Sequence, residues 1–67
     1  MRNMDAYLAT GIAEGFEDAL GEDEEIAAWQ YLVDTGLCWR LQGRFGRQAV
    51  AMIEAGLVTD PRLEATQ

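Results

Sequence analysis

The sequence predicts a small all-α domain of three helices, at residues 4–19, 23–35 and 37–55, in a chain expected to self-associate. Three observations predict it. Apolar residues recur every three or four positions through each stretch, the spacing that gathers them on one side of a helix. Glycines fall where those patterns stop, at Gly21, Gly36 and Gly56. The only proline, Pro61, follows the last stretch, where it stops the chain from continuing as helix.

The first helix has Asn3 or Asp5 as its N-cap. Met4, Tyr7, Leu8, Gly11, Ile12, Gly15, Phe16 and Ala19 share one broad side, and Glu14, Glu17 and Asp18 occupy the other. A glycine inside a helix costs about 1 kcal/mol relative to alanine, so Gly11 and Gly15 need a reason. One turn apart on the apolar side, they let another backbone approach closely. The competing reading is a break at one of them. Gly21 is expected to end the helix in a left-handed cap, with Leu20 packing back.

The second helix starts at Glu22 or Asp23. Four successive acids, Glu22 to Glu25, face the positive end of its dipole. Ile26, Trp29, Leu32 and Val33 recur on one side, which leaves Tyr31 on a flank. Thr35-Gly36 is the stop, although periodicity alone also allows one helix over 23–55.

The third helix, residues 37–55, organises the rest. With about 100° per residue, Arg40, Arg44 and Arg47 line one face. Cys38, Trp39, Leu41, Phe45, Ala49, Val50, Met52 and Ile53 fill a wide arc opposite. Gly43 and Gly46 on the border imply a kink or a close crossing. The alternative is a break at Gln42-Gly43, giving a helix-turn-helix-like form. Gly56 ends the helix, Leu57 and Val58 fold back onto it, and the tail from Arg62 to Gln67 is expected to fray.

The segment from Ala28 to Leu57 resembles small acidic bacteriophage-encoded proteins of unknown function. The shared pattern is carried by Trp29, Leu32, Thr35, Gly36, Trp39, Leu41, Gln42, Gly43, Phe45, Gly46, Arg47, Ile53, Glu54 and Gly56. The resemblance covers about half the chain and omits the first helix. It implies a phage origin and, as its natural partner, a host protein in the host cytoplasm. Arg47 belongs to the pattern, whereas Arg40 and Arg44 occupy its variable positions.

Composition narrows the function. Sixty-seven residues, 49% of them hydrophobic, furnish one modest core. In so small a monomer, apolar burial barely exceeds the cost of ordering the chain, and a homodimer or a partner is the expected remedy. One cysteine and no histidine exclude a disulfide framework and a histidine–cysteine zinc site. Cys38, on the apolar arc, reads as a small buried hydrophobe. The start MRNMDAYLAT lacks the apolar run of a signal peptide, and no stretch is long enough to span a membrane. A cytoplasmic protein without a membrane partner is therefore expected.

Charge is polarised. Of the net −7, all lies in residues 1–28, where eight acids face Arg2, while residues 29–67 balance four acids with four arginines. The carboxylates have no histidine or lysine to work with, and the chain is too small to enclose a deep pocket, so no enzyme, cofactor or metal is expected. The acidic run lacks the spacing of a calcium-binding loop. Nucleic-acid binding through Arg40, Arg44 and Arg47 is disfavoured because a −7 chain repels a polyanion. The reading that follows is a non-enzymatic protein-binding module, with a self-assembling subunit as the first alternative and a small nucleic-acid-binding protein using Arg40, Arg44 and Arg47 as the second. Its candidate contact residues are Glu14, Glu17, Asp18, Glu22, Asp23, Glu25, Tyr31, Arg40, Arg44 and Arg47.

Overall fold

A computed structural model describes residues 3–61, and these form α1 (Ala6–Glu14), α2 (Glu22–Thr35), α3 (Leu37–Arg40) and α4 (Gly43–Glu54). Among the described residues the architecture is all-helical, with four helices in place of the expected three. The expectation for the tail from Arg62 to Gln67 lies outside the described residues.

The first correction concerns α1. Asp5 is extended, and its Oδ1 accepts the Leu8 N–H at 2.8 Å, so it is the N-cap. The helix then ends at Glu14, five residues short of the expected boundary. Gly15 takes φ +86°, its N–H donates to the Ile12 carbonyl at 3.2 Å, and the Phe16 N–H donates to the Gly11 carbonyl at 2.9 Å. These are the two bonds of a Schellman cap, which needs a residue without Cβ strain at the left-handed position. Gly21 does not play that part. Its backbone is extended (φ 172°), and it is the N-cap of α2.

At that N-cap glycine offers no side chain to hold the first turn. Glu24 instead ties the incoming connection to that turn: its Oε1 accepts the Leu20 N–H at 2.9 Å, and the residue is buried. This resembles half of a capping box, reaching one residue further back than usual. The other end of α2 follows the sequence reading, with Gly36 at φ +79° and its N–H donating to the Val33 carbonyl. That single glycine separates α2 from α3 and removes the continuous 23–55 alternative.

The expected third helix is broken at Leu41-Gln42, where both residues leave helical geometry. The break lies one residue before the Gln42-Gly43 step at which the alternative reading put it. Its packing reason is at Gly46: a Cβ there would lie 3.6 Å from the Trp39 ring. Residues seven apart on a straight helix are separated by about 10 Å along the axis. Only a bend between them brings the indole onto Gly46. At the far end of α4 a second Schellman cap forms, with Gly56 at φ +79°, Gly56 N–H to the Ile53 carbonyl and Leu57 N–H to the Met52 carbonyl, both 3.0 Å. Val58 folds back into the core as expected, while Leu57 stays 46% exposed.

The helices pack in chain order, α1 on α2, α2 on α3 and α3 on α4. Ala9 and Ile12 from α1 meet Ala28, Trp29, Leu32 and Val33 from α2, and Cys38, Phe45, Ala49, Met52 and Val58 complete the core. Trp29 and Phe45 carry α2 across to α4, with ring centroids 6.2 Å apart and planes tilted by 36°. Phe45 and Met52 are buried as the periodicity requires. Leu41, at the break, is half-buried, and Val50 turns outward.

Candidate functional site

The early end of α1 changes what this part of the molecule presents. With Ala9 and Ile12 directed into the core, Tyr7, Thr10 and Glu14 occupy the outer side of the helix. After Gly15 the chain doubles back, and the Phe16 and Glu17 N–H groups both donate to the Gly11 carbonyl. The returning strand of chain passes so close that a Cβ on Gly11 would lie 3.3 Å from that of Glu17. Phe16 is left outside. Tyr7 is 91% exposed and Phe16 84% exposed, a correction to the buried face on which the periodicity placed both.

Between these two rings runs a groove of about 480 Å³, lined also by Leu8, Thr10 and Gly11, with Glu14 and Glu17 on it. Leu20, 70% exposed, sits in a neighbouring open depression with Glu22 and Asp23. Tyr7, Phe16 and Leu20 are thus three large exposed hydrophobes within one fourteen-residue stretch (7–20), the first two on the groove and the third in the neighbouring depression.

The acids from the sequence reading divide among three places. Glu14 and Glu17 line the groove, and Asp18 follows it as an exposed residue of the connection. Glu22 and Asp23 lie beside Leu20. Glu25 borders a third depression of about 400 Å³, which has Ile12, Trp29 and Phe45 in its lining and Arg44 and Gln48 beside them. Glu24 lines the depression beside Leu20 as well, buried and accepting the Leu20 N–H.

The arginines do not form one stripe along one helix. Arg40 ends α3, and only Arg44 and Arg47 share α4. The Arg44 guanidinium carbon stands 4.6 Å from the Phe45 ring centroid, a cation–π distance. Arg47 curls toward the start of its own helix, its Nη1 3.4 Å from where a Gly43 Cβ would be. Tyr31 is half-buried and packs against the core, so it leaves the candidate surface. The residues that sequence reasoning missed are Tyr7, Phe16 and Leu20. The signal that finds them is Gly15 read as a helix stop.

No group of three or more histidine, cysteine or carboxylate residues is placed to hold a metal ion among the described residues. No helix among them is long and apolar enough to cross a membrane. Comparison with known proteins gives one family: the model described as "Domain of unknown function (DUF7417)" matches residues 3–64. No curated protein and no solved structure matches the chain.

Proposed function

We propose that this chain, which belongs to the DUF7417 family, is a non-enzymatic protein-binding module that engages its partner through the groove between Tyr7 and Phe16. The observation that carries the reading is the exposure of those two rings on either side of an apolar, acid-edged channel. Burying an aromatic ring of this size is worth about 2 kcal/mol or more. Rigid, amphipathic rings are the residue types that anchor protein interfaces. The resemblance of residues 28–57 to small phage proteins makes a cytoplasmic host protein the natural class of partner. The arginines are divided between two helices, and Arg44 lies over Phe45, which supports a packing role for them over a phosphate-binding one.

The test places a photo-crosslinking residue at position 7, 16 or 34 of the whole chain in its native cell. Positions 7 and 16 are expected to yield the same discrete adduct, and position 34, exposed on α2, none. Equal or absent adducts at all three positions overturn the reading. An adduct of twice the chain's own mass assigns the groove to self-assembly instead.

A further inference from the structure

We infer that the occupant of the Tyr7–Phe16 groove is a basic amphipathic helix of a partner protein, one that sets apolar side chains between the two rings and lysine or arginine against Glu14 and Glu17. The inference rests on the protein-binding reading above and specifies the chemistry of the partner.

Charge selects the sign. From Asn3 to Trp39 the sequence contains no lysine or arginine, while it carries nine acids. One of them, Glu24, is buried and accepts the Leu20 N–H. Glu14 and Glu17 stand directly on the groove, and Glu22 and Asp23 continue the acidic border past Leu20. An apolar channel with carboxylates along its edge favours a ligand whose own apolar stripe is flanked by cations, and it repels one flanked by acids.

Shape selects a helix. Tyr7, Thr10, Gly11 and Glu14 follow the i, i+3, i+4, i+7 row of α1, so the groove runs along a helix face. Gly11 lies under the returning chain at Glu17, and Thr10, the small outward residue of that row, leaves room for a second helix between the larger Tyr7 and Phe16. An amphipathic helix laid into such a groove reads it through the same spacing. A second copy of this chain fits less well. Each copy carries net −7, so two copies repel at long range where a cationic partner is drawn in.

The test uses the whole isotope-labelled chain and three synthetic peptides of roughly 15 residues. All share one leucine stripe and differ only in the polar face, which is lysine, glutamine or glutamate. The lysine peptide is expected to move the amide signals of Tyr7, Gly11 and Phe16 and to bind at least about tenfold tighter than the glutamine peptide at low salt, a difference of about 1.4 kcal/mol. The glutamate peptide is expected not to bind. Glu14→Gln with Glu17→Gln should erase the preference, and Tyr7→Ser with Phe16→Ser should abolish binding. Both pairs lie at the surface, and an unchanged circular dichroism spectrum verifies their fold.

Equal affinity for the lysine and glutamine peptides overturns the inference. So does lysine-peptide binding that survives loss of both rings, because charge alone then accounts for it. Signal shifts at Tyr7 and Phe16 that depend only on the chain's own concentration overturn it in favour of a second copy. Crosslinks at positions 7 and 16 beside a failed peptide series retain the groove and reject this occupant, whereas missing crosslinks reject the protein-binding reading itself.

Discussion

The side-chain amide of Gln30 pairs with the backbone of Thr59 as one peptide unit pairs with another. Gln30 Nε2 donates to the Thr59 carbonyl, and the Thr59 N–H donates to Gln30 Oε1, both at 2.9 Å. The two residues are 29 positions apart, and the flanking Val58 and Asp60 are both buried. A further bond from Gln30 Nε2 to Asp34 Oδ1 at 2.8 Å fixes the amide's orientation. Gln30 thereby fastens the segment after α4 onto α2.

Replacing Gln30 by alanine removes every side-chain bond from residue 30 to Thr59. The contact is exposed, so water takes over the freed groups, and the expected loss is about 1–2 kcal/mol. Chemical denaturation measures it as a lower midpoint with an unchanged slope. Gln30→Glu should cost at least as much: its carboxylate can still accept from the Thr59 N–H, but it sets an oxygen against the Thr59 carbonyl and the Asp34 carboxylate, where the amide donated to both. Hydrogen exchange at the Thr59 amide should accelerate in Gln30→Ala.

The glycines offer a test of where α1 ends. Gly15→Ala and Gly56→Ala each place a Cβ on a left-handed residue and should destabilise by about 1 kcal/mol. Gly21→Ala, at an extended residue with nothing within 4 Å of its Cβ, should be within about 0.5 kcal/mol of neutral. Thermal midpoints distinguish these, since 1 kcal/mol corresponds to roughly 4–8 °C in a domain of this size. Equal costs at all three positions would move the end of α1 back toward Gly21.

Gly46 separates two sizes of substitution. An alanine Cβ would meet the Trp39 ring at ordinary contact distance, 3.6 Å. Gly46→Ala should therefore gain up to about 1 kcal/mol from helix propensity. Gly46→Leu drives a larger group into the same ring and should lose about 1–3 kcal/mol by overpacking. Tryptophan fluorescence, with Trp29→Phe to isolate Trp39, should report the displaced indole.

Cys38 is fully buried in the core. A water-soluble thiol reagent should label it only through opening of the fold, with the rate rising as denaturant is added and the reaction complete in the unfolded chain. Labelling of the native protein as fast as a model thiol would place α3 elsewhere.

How legible this was from sequence differs from element to element. The extent of α2 was readable because its two ends carry local signals, an acidic first turn and a Thr-Gly stop, that no tertiary contact overrides. The end of α1 was not, since Gly15 continues the apolar period and the period alone cannot say whether a glycine is spanned or used as a cap. The break before α4 was ambiguous for a different reason. Residues 37–55 hold a clean amphipathic pattern on both sides of it, and the bend is imposed by Trp39 reaching Gly46. Both misreadings bear on the groove: a helix carried through to residue 19 hides Phe16, and a single long helix aligns arginines that in fact sit on two. The inward turn of Glu24 among four successive acids has no signature in the sequence except its position three after Gly21.

Because each helix rests mainly on the one before it, few partners need to be found across long stretches of chain. Folding speed follows such locality, and this topology belongs with the microsecond-to-millisecond class of helical proteins. The tie from α2 to Thr59 spans 29 residues, and closing that loop is the natural final step of assembly.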